Sequence, residues 1–178
     1  MDNGFRSRPR GRNGYHRPPE GGPENPMSDV LSILDRVAGV ARNSGCFGDV
    51  DLRQAALRCA AKEAAAEAWY TVQHEAGGWC VSLSTADRWL SESIETDLLH
   101  FGDPVEELIE EELVELGGQG PVPPPKHFRA DDRSYVFVSR VPDAAGDANH
   151  VAGLVGKWLL AYEAAFRNLG DMSGADEE

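Results

Sequence analysis

Between Ala68 and Ser84 the apolar residues keep a period of two on both sides of a short turn, and no other segment constrains the fold as tightly. Tyr70, Val72 and His74 alternate against Trp69, Thr71 and Gln73; after Glu75-Ala76-Gly77-Gly78, Trp79, Val81 and Leu83 alternate against Cys80, Ser82 and Ser84. Whether the loop is Ala76-Gly77 or the four residues Glu75 to Gly78, His74 faces Trp79, Val72 faces Val81 and Tyr70 faces Leu83. The large apolar groups then share one face, and a slip of one residue would turn them all to the other. A β-hairpin with specified register follows. A sheet this small often has helices on both sides, which would pack Trp69 on the second face beneath one of them; the other reading makes Trp69 a contact residue.

Around the hairpin the period changes to that of helices. Ser28 is a good N-cap, and Val30, Ile33, Leu34, Val37, Val40 and Ala41 fall on one helical face that Gly45 ends. A second helix is expected from Asp51, with Gln54 as capping-box partner, through Leu52, Ala55, Ala56, Cys59 and Ala60. Its small residues suit close packing, with Cys59 a packed thiol. Thr85 to His100 reads as a helix in its first half, with Ser84 or Thr85 as cap, and stays open between helix and strand beyond that. Asp103-Pro104 then supplies an N-cap and a proline at N1. Val105, Leu108, Ile109, Leu113 and Leu116 form the buried stripe of a helix that stops at Gly117-Gly118.

Pro121, Pro123, Pro124 and Pro125 make a stiff connector. Phe128 to Arg129 and Ser134 to Val141, around a turn at Asp131-Asp132, suggest a second hairpin or one long strand. Tyr135 and Phe137 on one face, with Val136 and Val138 on the other, suggest an interior strand. A long final helix from about Asn149 carries Val151, Leu154, Val155, Trp158, Leu159, Tyr162, Phe166 and Leu169, with Gly170 as its C′ residue. The fold class is therefore α+β: a small antiparallel sheet packed by two N-terminal helices, an acidic central helix and a long C-terminal helix. Residues 27–170 form the single domain, flanked by an Arg/Gly/Pro-rich tail (1–26) expected to be disordered and an acidic tail (171–178). The order helix, strands, acidic helix, strands, helix resembles small secretion-chaperone-like folds in topology alone.

Charge constrains function more than motifs do. Asp87 to Glu115 holds eleven carboxylates against one base, Arg88, within a chain of formal charge −13. Such a body repels polyanions, so DNA is excluded as a direct partner and an anionic membrane is disfavoured. The tail of residues 1–26 is the exception, with five arginines against three acids. It is a plain solvated tail, a segment upstream of a working start at Met27, or an arm that touches RNA or a negatively charged surface. Three cysteines at unpatterned spacings suit a reducing compartment, and no apolar run is long enough to span a membrane, so the expected location is cytoplasmic.

No constellation specifies catalysis. Asp97 and His100 have the i, i+3 spacing of carboxylate-histidine metal sites, but the neighbouring apolar positions face elsewhere. The glutamates at 106, 107, 110, 111 and 112 fall outside the buried stripe and read as a solvated face. Cys46, Cys59 and Cys80 form no close ligand pair with His74, His100, His127 or His150. Cys80 has no basic sequence neighbour to lower its pKa, no Gly-x-Ser-x-Gly elbow is present, and no phosphate-binding glycine loop occurs. Gly153 and Gly156, mid-helix, serve close packing.

The expected function is a non-enzymatic acidic adaptor or chaperone-like protein-interaction module that binds a partner with a basic surface. No cofactor, metal or catalytic residue is assigned, and a homodimer is a possible form. Candidate partner-binding residues are Glu106, Glu107, Glu110, Glu111, Trp69 and Trp89. Two alternatives stand beside it: a metal-dependent hydrolase built on Asp97, His100 and nearby glutamates, and RNA contact through the arginine-rich arm.

Overall fold

The computed structural model describes Met1 and residues 26–173; the expectations for the 1–26 arm fall outside these, Met1 and Pro26 apart. A helix, α1 (Pro26–Ser44), leads into four strands: β1 (Phe47–Arg53), β2 (Ala56–Ala61), β3 (Ala68–Glu75) and β4 (Gly78–Thr85). Helices α2 (Arg88–Phe101) and α3 (Val105–Glu115) precede β5 (Lys126–Arg129) and β6 (Tyr135–Arg140). The described chain ends with α4 (Ala148–Arg167) and a 3-10 turn, Gly170–Ser173. The six strands form one antiparallel sheet in the order β1-β2-β3-β4-β6-β5, so the protein has an α+β fold with a long C-terminal helix.

The β3–β4 hairpin has the register its alternation dictates: His74 opposite Trp79, Val72 opposite Val81 and Tyr70 opposite Leu83. The expected second N-terminal helix is instead the β1–β2 hairpin. Leu52 pairs with Leu57 and Arg53 with Ala56, leaving Gln54 and Ala55 as a two-residue turn. Both have positive φ, 48° and 60°, as a type I′ hairpin turn requires. Alanine favours helix, but tertiary burial overrides that preference: as a strand the segment puts Leu57 and Cys59 on the sheet face that helices cover, fully buried.

The covered face holds the core. Leu57, Cys59, Tyr70, Val72, Val81, Leu83 and Phe137 point from the sheet toward α1 and α4, which also pack on each other. Phe137 meets Phe166, and the Ser139 and Tyr162 hydroxyls bond at 3.1 Å. Gly156 permits close approach of α4 to α1, since a Cβ there would lie 3.4 Å from Val40, whereas Gly153 has nothing near it. Two more buried polar groups sit in this layer beside the Ser139–Tyr162 pair. The Tyr70 hydroxyl has no hydrogen-bond partner among the described residues, and Glu163 on α4 is 6 % exposed beside Arg167 at 3.5 Å.

Among the described residues no helix covers the opposite face, contrary to the expectation that Trp69 packs beneath one. Its clefts are lined by strand and loop residues alone. The register arranges it in three rows: Ala60, Trp69, Ser84, Val136 and Phe128; Asp51, Arg58, Thr71, Ser82, Val138 and Lys126; Arg53, Ala56, Gln73, Cys80 and Arg140. Valines on this side and Phe137 on the other fit the interior place of β6.

Local signals explain most boundaries. Helix α1 begins at Pro26, which puts Ser28 within its first turn and not at its cap. Helix α2 is helical throughout, capped by Asp87, whose Oδ1 accepts from Leu90 N–H at 2.8 Å; Thr85 instead donates to the Glu67 carbonyl. Helix α3 follows Pro104 and closes when Gly118 N–H returns to the Leu113 carbonyl at 2.7 Å, with Gly117 at φ 69°. Helix α4, capped by Asp147, ends at Arg167, and Gly170 opens the 3-10 turn. That turn is packed, with Met172 buried, so Asp171–Ser173 belong to the folded body.

Candidate partner-binding surface

Helix α3 is positioned by two apolar anchors. Ile109 and Leu113 are buried, and the helix packs along α4. With that stripe fixed, the 3.6-residue period directs Glu107, Glu110, Glu111 and Glu115 to solvent, around a shallow depression that also contains Val114. Glu106 and Glu112 are half-buried. Glu106 and Glu107 lie in the first turn, where the helix dipole favours negative charge. At the other end Lys157 Nζ donates to the Gly117 carbonyl at 2.8 Å, holding α3 to α4.

Apolar groups sit among these carboxylates. Leu99 is 84 % exposed and Val114 62 %. Where α2 turns into α3, a groove of about 440 Å³ opens against β5. Leu98, Leu99, Pro104, Val105 and Pro125 supply its apolar walls, and the ring of His127, stacked on Phe137 at 3.8 Å, lies at its base. Glu95 and Asp103 border it. Glu95 is held by two contacts: Ser91 Oγ donates to its Oε1 at 3.2 Å, and His127 Nε2 meets the same oxygen at 2.9 Å. This clasp joins α2 to the end strand of the sheet. The arrangement can seat an apolar side chain while meeting positive charge at the rim.

The candidate residues fall on three surfaces. Glu107, Glu110 and Glu111 share the exposed face of α3, with Glu106 turned partly inward. Trp89, 75 % exposed in the first turn of α2, lies instead beside Glu92, Asp97 and Asp171. Trp69 is on the uncovered sheet face: the Arg58 guanidinium sits 4.3 Å from its ring centroid, and its indole N–H donates to Glu67 at 2.6 Å. The groove beside Leu99 went unread in the sequence. Its only local trace is the paired Leu98-Leu99, one of which has no place on a single buried stripe.

The residues proposed for a hydrolase are used separately. Asp97 Oδ2 accepts from Gly170 N–H at 2.6 Å, while exposed His100 Nδ1 meets the Thr96 carbonyl at 2.9 Å. Among the described residues no three His, Cys, Asp or Glu converge as metal ligands. Burial raises the pKa of all three thiols, that of Cys59 to about 12. Cys80 does have basic neighbours in space, Arg140 opposite it in the sheet and Lys126, but burial and Glu75 outweigh them.

No helix among the described residues is long and apolar enough to cross a membrane. No protein family, curated protein or solved structure matches this chain.

Proposed function

We propose that the protein is a non-enzymatic interaction module, of adaptor or chaperone-like type, that holds a basic partner segment on the surface made by α2 and α3. The observation that supports this most directly is the groove between the α2–α3 corner and β5, apolar inside and bordered by carboxylates. A solvated acidic face alone would need nothing apolar. Leu99, exposed beside Glu95 and Asp103, gives such a face an anchor point. Apolar burial then supplies affinity, and the carboxylates supply orientation and rate of encounter.

The test is titration of the full chain with an amphipathic peptide of lysine and leucine, repeated as salt is raised. Binding should weaken steadily, because exposed charges are screened beyond about 10 Å at 0.1 M salt. It should weaken further in Leu99→Glu and in the triple variant Glu107→Lys/Glu110→Lys/Glu111→Lys. Binding that neither salt nor these substitutions alter would refute the reading, as would capture from cell extract of proteins that share no basic surface.

A further inference from the structure

We propose that the uncovered face of the sheet carries a second docking site, which takes an extended polypeptide segment combining acidic and apolar side chains. The site does not depend on the basic-partner reading and lies on the sheet face opposite the helices, although β5 also borders the α2–α3 groove on its other side.

It is a cleft of about 390 Å³ across β3, β4, β6 and β5, walled at one end by Pro123 and Pro124. That volume lies within the range of sites that hold a ligand. Val136, Val138 and Phe128 provide an apolar floor, and Phe128 remains 47 % exposed. Lys126 and Arg140 stand on its border, and neither has an ion-pair or hydrogen-bond partner among the described residues. Among the described residues Glu75 is the one carboxylate lining the cleft. Its oxygens are engaged, one by Gln73 Nε2 at 2.6 Å and the other by the Cys80 thiol at 3.8 Å.

Charge identifies the partner. In a chain of formal charge −13, a lining that sets Lys126 and Arg140 against Glu75 alone among the described residues is a local reversal of sign. An acidic ligand is repelled by the α2–α3 surface and drawn here, so encounter and orientation both favour this cleft. A hydroxyl in the cleft and a strand edge at its end point to polypeptide as the occupant. The Ser82 hydroxyl has no partner among the described residues and lies in the same cross-strand row as Val138 and Lys126. β5, two strands along that row, is the last strand of the sheet, so among the described residues one edge of its backbone has no neighbour in the ladder. Backbone amides and carbonyls of an extended segment can meet such groups; an acyl chain has none to offer.

The test is selection from a random peptide display library on the full chain, followed by binding of a synthetic copy of the enriched sequence. The comparison variant is Lys126→Glu/Arg140→Glu, both exposed positions whose reversal leaves the core untouched. Enriched peptides should combine Asp or Glu with aliphatic or aromatic residues, and should shift the amide resonances of Ser82, Val136 and Val138. The double variant should bind them at least about tenfold more weakly. The proposal is overturned by the absence of any enriched sequence, by a Lys/Arg consensus, or by an acidic consensus that the variant binds equally well. Saturable binding of dodecanoate at these amides with no peptide enriched would assign the cleft to an acyl acid, and would also overturn it. A Lys/Arg consensus lost in Glu107→Lys/Glu110→Lys/Glu111→Lys would support the basic-partner reading while ending this one, so the two fail independently.

Discussion

Replacing Ala55 by glycine should stabilise this protein, although the surrounding sequence suggests the reverse. Ala55 has φ 60° in the turn between β1 and β2. A residue with a Cβ is disfavoured in the left-handed region by about 1–2 kcal/mol. Glycine escapes that strain but loses more chain entropy on folding, by roughly 0.5–1 kcal/mol. The difference favours Ala55→Gly by about 0.5–1 kcal/mol, and Gln54→Asn, at φ 48°, should add a smaller gain because asparagine tolerates the same region. For a folded body of this size about 1 kcal/mol raises Tm by roughly 2–4 °C. In the helix that the alanine-rich sequence invites, the same Ala55→Gly change would destabilise by about 1 kcal/mol. Thermal unfolding followed by circular dichroism reads the sign directly. A lower Tm for Ala55→Gly, with unchanged far-ultraviolet signal, would refute the hairpin turn.

Three further substitutions probe the buried polar groups. Tyr70→Phe removes a hydroxyl that has no partner among the described residues and should raise stability by about 1 kcal/mol, whereas Tyr162→Phe leaves Ser139 unpaired and should lower it by about 1–3 kcal/mol; urea unfolding of both variants should give midpoints on opposite sides of the parent. Burial raises the Glu163 carboxyl pKa, with Arg167 opposing the shift. The folded state then binds the Glu163 proton more tightly than the unfolded chain, so this group's contribution declines as pH rises from the ordinary carboxyl range through the raised native value. Glu163→Gln should therefore stabilise at neutral pH and lose that advantage on acidification, and a difference in unfolding free energy that does not change with pH would contradict this.

What the sequence disclosed follows how local each signal is. The β3–β4 register was legible because its apolar residues alternate without interruption on both sides of Ala76-Gly77. The α4 stripe was legible because seven apolar positions, from Val151 to Phe166, keep helical spacing along it. The β1–β2 hairpin was hidden because Gln54-Ala55 lacks the Asn-Gly or Asp-Gly chemistry of such turns, and Ala55, Ala56 and Ala60 are good helix formers. Only pairing with β3, which buries Leu57 and Cys59, reveals it. The outward charges of α3 could be read because Ile109 and Leu113 define its inner face within the helix itself. The two clefts could not, since each combines residues from elements distant in the chain: Leu99 with His127 in one, Gln73 with Lys126 in the other. For Trp69 an argument from sheet size favours a helix contact over a partner contact, and nothing local to Trp69 records which face lacks a cover among the described residues.

The turn at Gly170–Ser173 ties together segments that lie far earlier in the chain. Gly170 N–H reaches Asp97, Asp171 N–H reaches Ser93 Oγ, and the Asp171 carbonyl accepts from Ala65 N–H. A Cβ at Gly170 would come within 2.6 Å of the Ile94 backbone nitrogen, so the fit admits glycine alone. During translation, α2 must therefore leave the ribosome and wait, its polar groups still served by water, until about seventy more residues have been added, and the β2–β3 connection, bonded through Ala65, waits longer still. A premature stop at Arg167 would leave those groups permanently without the partners that the turn supplies.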